Sequence, residues 1–194
     1  MYTFMKSRLL ILALAIFTLS SFRANAQVDV TVNPIGLLFG GINVGAAFVL
    51  ADEFSIEANV GYNSRTDDVT FNTSTNEFKY TGIPIQAVGK YYFSPDDGAD
   101  RFYAAAFLRY VNRTYNEKDV DNGVNDFSQS RFGAGVGFGT KSVSRSGIVF
   151  DFGVNVGRVI ADSTKFETEN GQEEVDLPGF IFTLKLGIGY RFGG

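Results

Sequence analysis

The chain has 194 residues with no cysteine and no histidine, and its 17 basic and 21 acidic residues leave a formal net charge of −4. Without cysteine it has no disulfide framework, no thiolate metal site and no lipid-modified cysteine at a processed N-terminus. Without histidine it lacks the usual base of serine and cysteine nucleophiles and a usual ligand of catalytic zinc, and its acidic balance disfavours a nucleic-acid partner.

Met1 to Ala26 reads as a removable export signal. Lys6 and Arg8 precede the apolar run Leu9 to Phe22, and Ala24-Asn25-Ala26 supplies the small residues of a signal-peptidase site. A spanning helix needs roughly 20 apolar residues, which this run does not reach. The expected cut lies between Ala26 and Gln27, with one domain over residues 27–194. Loss of Lys6, Arg8 and Arg23 leaves 14 basic residues and a net charge of −7.

From Val28 the apolar residues fall on alternate positions: Val28, Val30 and Val32, then Leu38, Ile42, Val44, Ala46, Phe48 and Leu50. Asp29, Thr31, Asn33, Asn43, Gly45 and Ala47 occupy the other face. Side chains on a strand alternate between its faces, and a membrane-crossing strand needs only about 9–11 residues. The stretch is therefore divided near Phe39-Gly40-Gly41 into two strands and a short loop, with Pro34 near an edge or bend.

Ala51-Asp52-Glu53 makes a tight turn into a third strand to Arg65, with Phe54, Ile56, Ala58, Val60 and Tyr62 on the apolar face and Glu57 opposite. Residues 66–77 read as a polar loop. The fourth strand turns Ile83, Ile85, Ala87, Gly89, Tyr91 and Phe93 outward and Gln86, Val88, Lys90 and Tyr92 inward. Ser94-Pro95-Asp96-Asp97-Gly98 is a turn signal. The fifth places Phe102, Ala104, Ala106, Leu108 and Tyr110 against Tyr103, Phe107, Arg109, Val111 and Arg113.

After a loop over residues 116–126, Phe132, Ala134, Val136 and Phe138 alternate with Arg131 and four glycines. Those glycines fit neither GxGxxG nor the P-loop spacing; a strand wall whose inward side chains must be small explains them. Beyond the turn 142–147, Ile148, Phe150, Phe152, Val154 and Val156 alternate with Val149, Asp151, Gly153, Asn155 and Gly157. A long acidic loop over 162–178 leads to the last strand, Phe180 to Phe192. Within that loop, Asn170-Gly171 favours a type I′ hairpin turn, which would let the flanking strands project as a ribbon.

The last strand carries Phe180, Phe182, Leu184, Leu186, Ile188, Tyr190 and Phe192 on one face and Ile181, Thr183, Lys185, Gly187, Gly189 and Arg191 on the other. A bulky apolar face opposite a small and cationic one suits a wall between hydrocarbon and a polar lumen, although a soluble sandwich strand alternates similarly. Lys185, Gly187, Tyr190 and Phe192 reproduce polar-x-Gly-x-x-aromatic-x-aromatic. This resembles the C-terminal insertion signal of bacterial outer-membrane β-barrels, read by the barrel-assembly machinery; here Gly193 and Gly194 follow the final aromatic. NPIGLLFGG is similar to the opening of a group of small outer-membrane barrels.

The expected fold is all-β: an eight-stranded antiparallel up-and-down transmembrane β-barrel, porin-like and resembling OmpX and the OmpA transmembrane domain. With both termini in the periplasm, the three long loops fall outside the cell, with net charges of −3, −3 and −5. Outward aromatics then collect in two belts: Phe48, Phe54, Tyr91, Phe93, Phe102, Phe138, Phe150, Tyr190 and Phe192 at one end, and Tyr62, Tyr110, Phe132 and Phe180 at the other.

Glu57, Lys90, Arg109, Arg131, Asp151, Lys185 and Arg191 point into a lumen only wide enough for side chains or one small ligand. Burying lone charges costs several kcal/mol or so, hence the expectation of a lumen plugged by salt bridges from Glu57 and Asp151 to arginines and lysines; solvation in a water-filled channel is the alternative. Outward Arg158 near the outer rim either contacts lipopolysaccharide phosphate or snorkels to water. Asp119, Asp121 and Asp126 lack EF-hand spacing.

The expected function is a non-enzymatic outer-membrane protein with a structural, envelope-integrity or adhesive role through acidic external loops, needing no cofactor. Outer-membrane lipid, lipopolysaccharide, the assembly machinery and a surface ligand are its expected partners, and no nucleic acid is. A narrow passive porin is the alternative, and a soluble periplasmic barrel binding a small ligand comes after it.

Overall fold

The computed structural model of the chain describes residues 27–38, 40–71, 74–117, 127–168, 171–175 and 179–193. The elements are β1 (Val28–Asn33), a helical turn α1 (Ile35–Leu38), β2 (Gly41–Ala51), β3 (Phe54–Phe71), β4 (Ser74–Tyr92), β5 (Arg101–Glu117), β6 (Phe127–Val143), β7 (Ile148–Thr168), β8 (Gly171–Val175) and β9 (Phe180–Phe192). Strands β1 to β7 pair antiparallel in sequence order, and β9 pairs with both β7 and β1, which closes the sheet into an eight-stranded up-and-down barrel. Short β8 runs back along the far end of β7, from Thr168↔Gly171 to Thr164↔Val175.

Each wall strand keeps its bulky residues outside. Val60, Ile85, Leu108, Val136, Phe152 and Phe182 are all exposed, while Val88, Tyr103, Phe107 and Val149 are buried. From Phe180 to Phe192 the apolar face of β9 runs about 40 Å along the strand, or about 30 Å along the axis at a tilt near 40°. Aromatic side chains sit at both ends of the band, including Phe102 and Phe192 at the end of the termini and Tyr62 and Phe180 at the other.

The inside is filled from β5. The Tyr103 ring lies over Gly139 and its hydroxyl over Gly153, and Phe107 lies over Gly135 and Gly157, so that a Cβ at any of the four would collide with one of these aromatic side chains. The alternate glycines of β6 and β7 are thus the floor on which two large rings lie. Asparagines use other glycines likewise: Asn63 lies over Gly41, Asn59 over Gly45, Asn43 over Gly61 and Asn155 over Gly137. Gly135→Ala, whose Cβ would also press on Val156 O, is expected to cost about 1–3 kcal/mol. Outward Gly89→Ala, which meets only Phe54 Cζ at 3.9 Å, should stay within about 0.5 kcal/mol, both variants being read by urea titration of the folded barrel.

Two expectations are corrected, and one irregularity is added. Leu38 is not on a strand: Asn33 Oδ1 accepts from Ile35 N at 3.1 Å, Leu37 N donates to Pro34 O at 3.1 Å, and the chain makes one helical turn instead. Pro34 has no N–H for a ladder, and Gly40 takes a φ of +73° on the way into β2. Much of the long polar loops is strand: β3 and β4 pair out to Phe71↔Ser74, and β6 pairs β7 out to Phe127↔Phe166. Backbone pairing continues there without an apolar face to mark it. Finally, the register of β7 shifts opposite Phe132 and Gly133, so beyond Ile160 its faces exchange and Asp162 turns inward.

Candidate functional site

The lumen is built in three layers from the end of the termini. The first is a lid. The turn over residues 94–100 folds back across the mouth, with Ala99 buried against Tyr92 and Tyr103. Asp100 Oδ1 accepts from the backbone N–H of Asp96 at 2.7 Å, and Ala99 N donates to Asp52 O at 2.6 Å. Arg191 holds the turn from inside the barrel, its Nη1 donating to Asp97 O at 2.5 Å and to Gly98 O at 2.6 Å. The shape requires left-handed φ at Ser94, Ala99 and Arg101 as well as at Gly98, so the contacts hold a backbone that non-glycine residues rarely adopt.

Above the lid, Arg191 Nε meets Asp29 Oδ1 at 2.7 Å, and Lys141 Nζ meets Asp29 Oδ2 at 2.7 Å. Lys141 also lies 4.7 Å from the centre of the Tyr92 ring, whose hydroxyl shares a hydrogen bond with Ser55. One carboxylate thus joins β1 to β6 and β9 across the barrel.

The next layer is a quartet from four strands. Lys90 Nζ is 2.6 Å from both Glu57 Oε2 and Asp151 Oδ2; Lys185 Nζ is 2.6 Å from Asp151 Oδ2 and also bonds Glu57 Oε1. Tyr103 donates to Asp151 Oδ1 at 2.8 Å, which gives the second carboxylate oxygen its partner. Glu57, Lys90 and Asp151 are each at most 2% exposed. Two cations and two anions balance, which is what allows them to be buried.

Over the quartet the lumen widens into a cup of about 550 Å³. Glu57, Lys90, Tyr103 and Lys185 form its floor; Thr31, Asn43, Asn59, Asn155 and Gln86 line its walls, and Arg65, Tyr80 and Arg109 stand towards the hairpin end. A smaller cavity of about 120 Å³ adjoins it, sharing Arg109, Phe182 and Thr183.

The inward residues read from the sequence therefore occupy different levels. Both cations of the quartet are lysines; the arginines go elsewhere. Arg191 serves the lid and Asp29. Arg131 Nε pairs with Asp162 Oδ2 at 2.9 Å, and Arg109 donates to the neutral Gln86 at 3.3 Å. Among the described residues, no carboxylate lies within ion-pair distance of Arg109 or Arg113. Asp29 and Lys141, inward by parity, were assigned no role in the sequence reading, and Asp162 was hidden by the register shift.

Of the residues resembling an insertion signal, Lys185 and Gly187 face the lumen, while Tyr190 and Phe192 are exposed and stack edge-on at 5.0 Å between ring centres. Gln27 begins the described chain, its carbonyl accepting from Val49 N. Ala24 and Ala26, Asp119, Asp121 and Asp126, and Asn170 lie outside the described residues, as does the whole of 1–26. Among the described residues no group of three acidic, histidine or cysteine side chains is placed to hold a metal ion.

The fold has a counterpart among solved structures. A major outer membrane protein from Thermus thermophilus superposes with a TM-score of 0.56 at 14% identity, covering 86% of this chain and 99% of its own. No curated protein matches the sequence. Residues 9–190 match the model of a family described as a protein of unknown function, DUF3575, and the chain belongs to that family.

Proposed function

We propose that this DUF3575 member is an integral, non-enzymatic protein of the bacterial outer membrane, exported by a signal peptide over residues 1–26 and closed to solute flow. The observation that carries the reading is its polarity. Bulky Phe, Ile, Leu and Val side chains cover the outside of the barrel, and the buried interior holds Asp29, Glu57, Lys90, Lys141 and Asp151. A soluble barrel reverses that arrangement, because so large an apolar surface in water drives association. Lipid satisfies the outer surface, and the ladder of strands satisfies the backbone except along the edge of β9 beyond β1. The likeness to the Thermus outer-membrane protein supports the same reading.

The lid, the Asp29 layer and the quartet lie in series, which favours a plugged barrel over the porin reading. The role left to such a barrel is outside the wall. Strands β3 to β7 continue beyond the apolar band as hairpins, and Asp67, Asp68, Glu77, Glu117 and Glu167 lie on those extensions. A structural, envelope-integrity or adhesive role for those hairpins follows, with lipopolysaccharide around the rim and the assembly machinery reading Lys185, Gly187, Tyr190 and Phe192.

Fractionation tests the location: the protein should co-sediment with outer membranes and change mobility on detergent gels when boiled. Recovery in the soluble periplasmic fraction would remove the assignment. In planar bilayers the folded protein should give no stepwise conductance above the bare membrane; regular steps would restore the porin reading.

A further inference from the structure

The wall of the barrel is not equally tight all the way round. Strand β9 pairs with β7 along its whole length, from Ile148↔Tyr190 to Arg158↔Phe180. On its other edge it pairs with β1 only over Val28↔Phe192 to Val32↔Ile188, because β1 ends at Asn33 and the chain turns into α1. Residues 180–187 of β9 therefore present a one-sided edge to α1. Among the described residues, the hydrogen bond that bridges this seam is a long one, Asn33 Nδ2 to Leu184 O at 3.4 Å.

The cup borders the seam. Its lining includes inward Thr183 and Lys185, but also Phe182 and Leu184, which have the opposite parity and are 58% and 44% exposed on the outside of the barrel. Ile35 and Gly36 line the facing side. The lining thus takes in consecutive residues of β9 along the edge that β1 leaves unpaired. The edge lies in the half of the apolar band nearer Phe180, at a depth where unpaired backbone facing lipid is costly.

The chemistry changes across the seam. Outside are Leu37, Leu38, Phe182 and Leu184, all exposed; inside are Asn43, Asn59, Gln86 and Arg109. Asn59, Gln86 and Arg109 are in register on β3, β4 and β5, so two amides and a guanidinium form one row. The quartet beneath is charge-balanced, and among the described residues Arg109 has the neutral Gln86 as its side-chain hydrogen-bond partner. Its charge is available to an anion, and its planar fork suits a carboxylate or phosphate.

We propose that the cup binds one single-chain amphiphile taken sideways from the surrounding bilayer, its anionic head at Arg109 and the amide row, and its hydrocarbon chain lying through the seam between α1 and β9. The volume of the cup is in the range of small-molecule sites, and the packed quartet makes it blind at the far end. The inference rests on the membrane reading for the source of the ligand, though binding itself is measured on the isolated folded barrel.

The test uses the folded protein in phosphatidylcholine nanodiscs, with palmitate as probe and bound adducts counted by native mass spectrometry. One palmitate per barrel is expected, with hexadecanol, which keeps the chain but lacks the charge, binding at least tenfold more weakly. Arg109→Gln should weaken palmitate at least tenfold. Lysophosphatidate in place of palmitate tells a phosphate head from a carboxylate head, and one of the two must bind. Since the chain has no cysteine, Ile35→Cys with Leu184→Cys can be joined by a short reducible bis-maleimide. The tethered protein should lose the adduct and regain it on reduction, which controls for folding. Absence of any adduct, equal binding of hexadecanol, or undiminished binding by the tethered barrel would each overturn the proposal. Fractionation and the gel shift are read separately, so a correctly located barrel without an adduct refutes this inference alone.

Discussion

Lys90→Met is expected to destabilise the folded barrel by about 3–5 kcal/mol, read as a lower urea midpoint for unfolding in detergent micelles or vesicles. Lys90 is 2% exposed and stands 2.6 Å from two carboxylates that are themselves buried. Methionine retains most of the volume, so the loss is electrostatic: Glu57 and Asp151 then share only Lys185. Removing one partner of a buried ion pair costs more than the pair contributes, because the surviving charge has lost its water and gains no replacement. Two companion variants separate this from packing. Adding Asp151→Asn to Lys90→Met restores one anion to one cation and should recover a large part of the loss. Lys185→Met should cost less than Lys90→Met, since Lys185 is 14% exposed and water from the cup reaches its partners. A cost below about 1 kcal/mol for Lys90→Met would mean that the quartet is solvated and the plug is not tight.

The phases of the wall strands were legible because the outer face of the wall is apolar and its inner face largely polar. Wherever a strand separates an apolar exterior from a polar lumen, period-two alternation is strong, and the faces of β3, β4, β5 and β9 are those expected from Ile56, Ile85, Leu108 and Leu186 against Glu57, Gln86, Arg109 and Lys185. Where β3 to β7 continue past that contrast, no face is continuously apolar, and Thr66 to Phe71 or Asp162 to Thr168 look like loops although their backbones still pair. Alternation reports the surroundings of a strand rather than its hydrogen bonds, so it falls silent at the rim.

Which side chains point inward was legible for the same reason; which of them meet was not. Lys141 and Asp29 are 112 positions apart, and Arg191 and Asp29 are 162 apart. Nothing local couples them. Parity alone placed Asp29 and Lys141 on the lumen side, but strand tilt and stagger decide which inward residues share a level, and these come with closure. Asp162 had no sequence signal, because one extra residue in β7 reverses every side chain beyond it. Pro34 announced an edge or bend, yet Leu38 kept the even parity of the strand before it, and so the helical turn beside the seam was hidden in an apolar run.

Val136→Arg is expected to destabilise the inserted barrel by about 2–4 kcal/mol, or to lower its yield in outer membranes correspondingly. Val136 is 62% exposed on the outside of the barrel, and its neighbours in register, Ala106 and Val156, also have outward parity. Ala106 lies midway between Phe102 and Tyr110 of the two aromatic belts, which places this row near the centre of the apolar band. In water such a site tolerates arginine: the side chain is already on the surface, buries nothing and breaks no hydrogen bond, and substitutions of that kind usually stay within about 0.5 kcal/mol. In hydrocarbon the guanidinium must snorkel or draw in water, and the cost depends on depth. Ile160→Arg supplies the control. Ile160 is 64% exposed, but it lies at the register shift beside the rim aromatics Phe132 and Phe180, where the expected cost is about 0–1 kcal/mol. The ratio between the two variants depends on depth and not on strand propensity, since both introduce the same side chain at an exposed strand position. A difference of several kcal/mol between them requires a bilayer around the band, and equal, small effects at both would mean that the outer face of this barrel meets water.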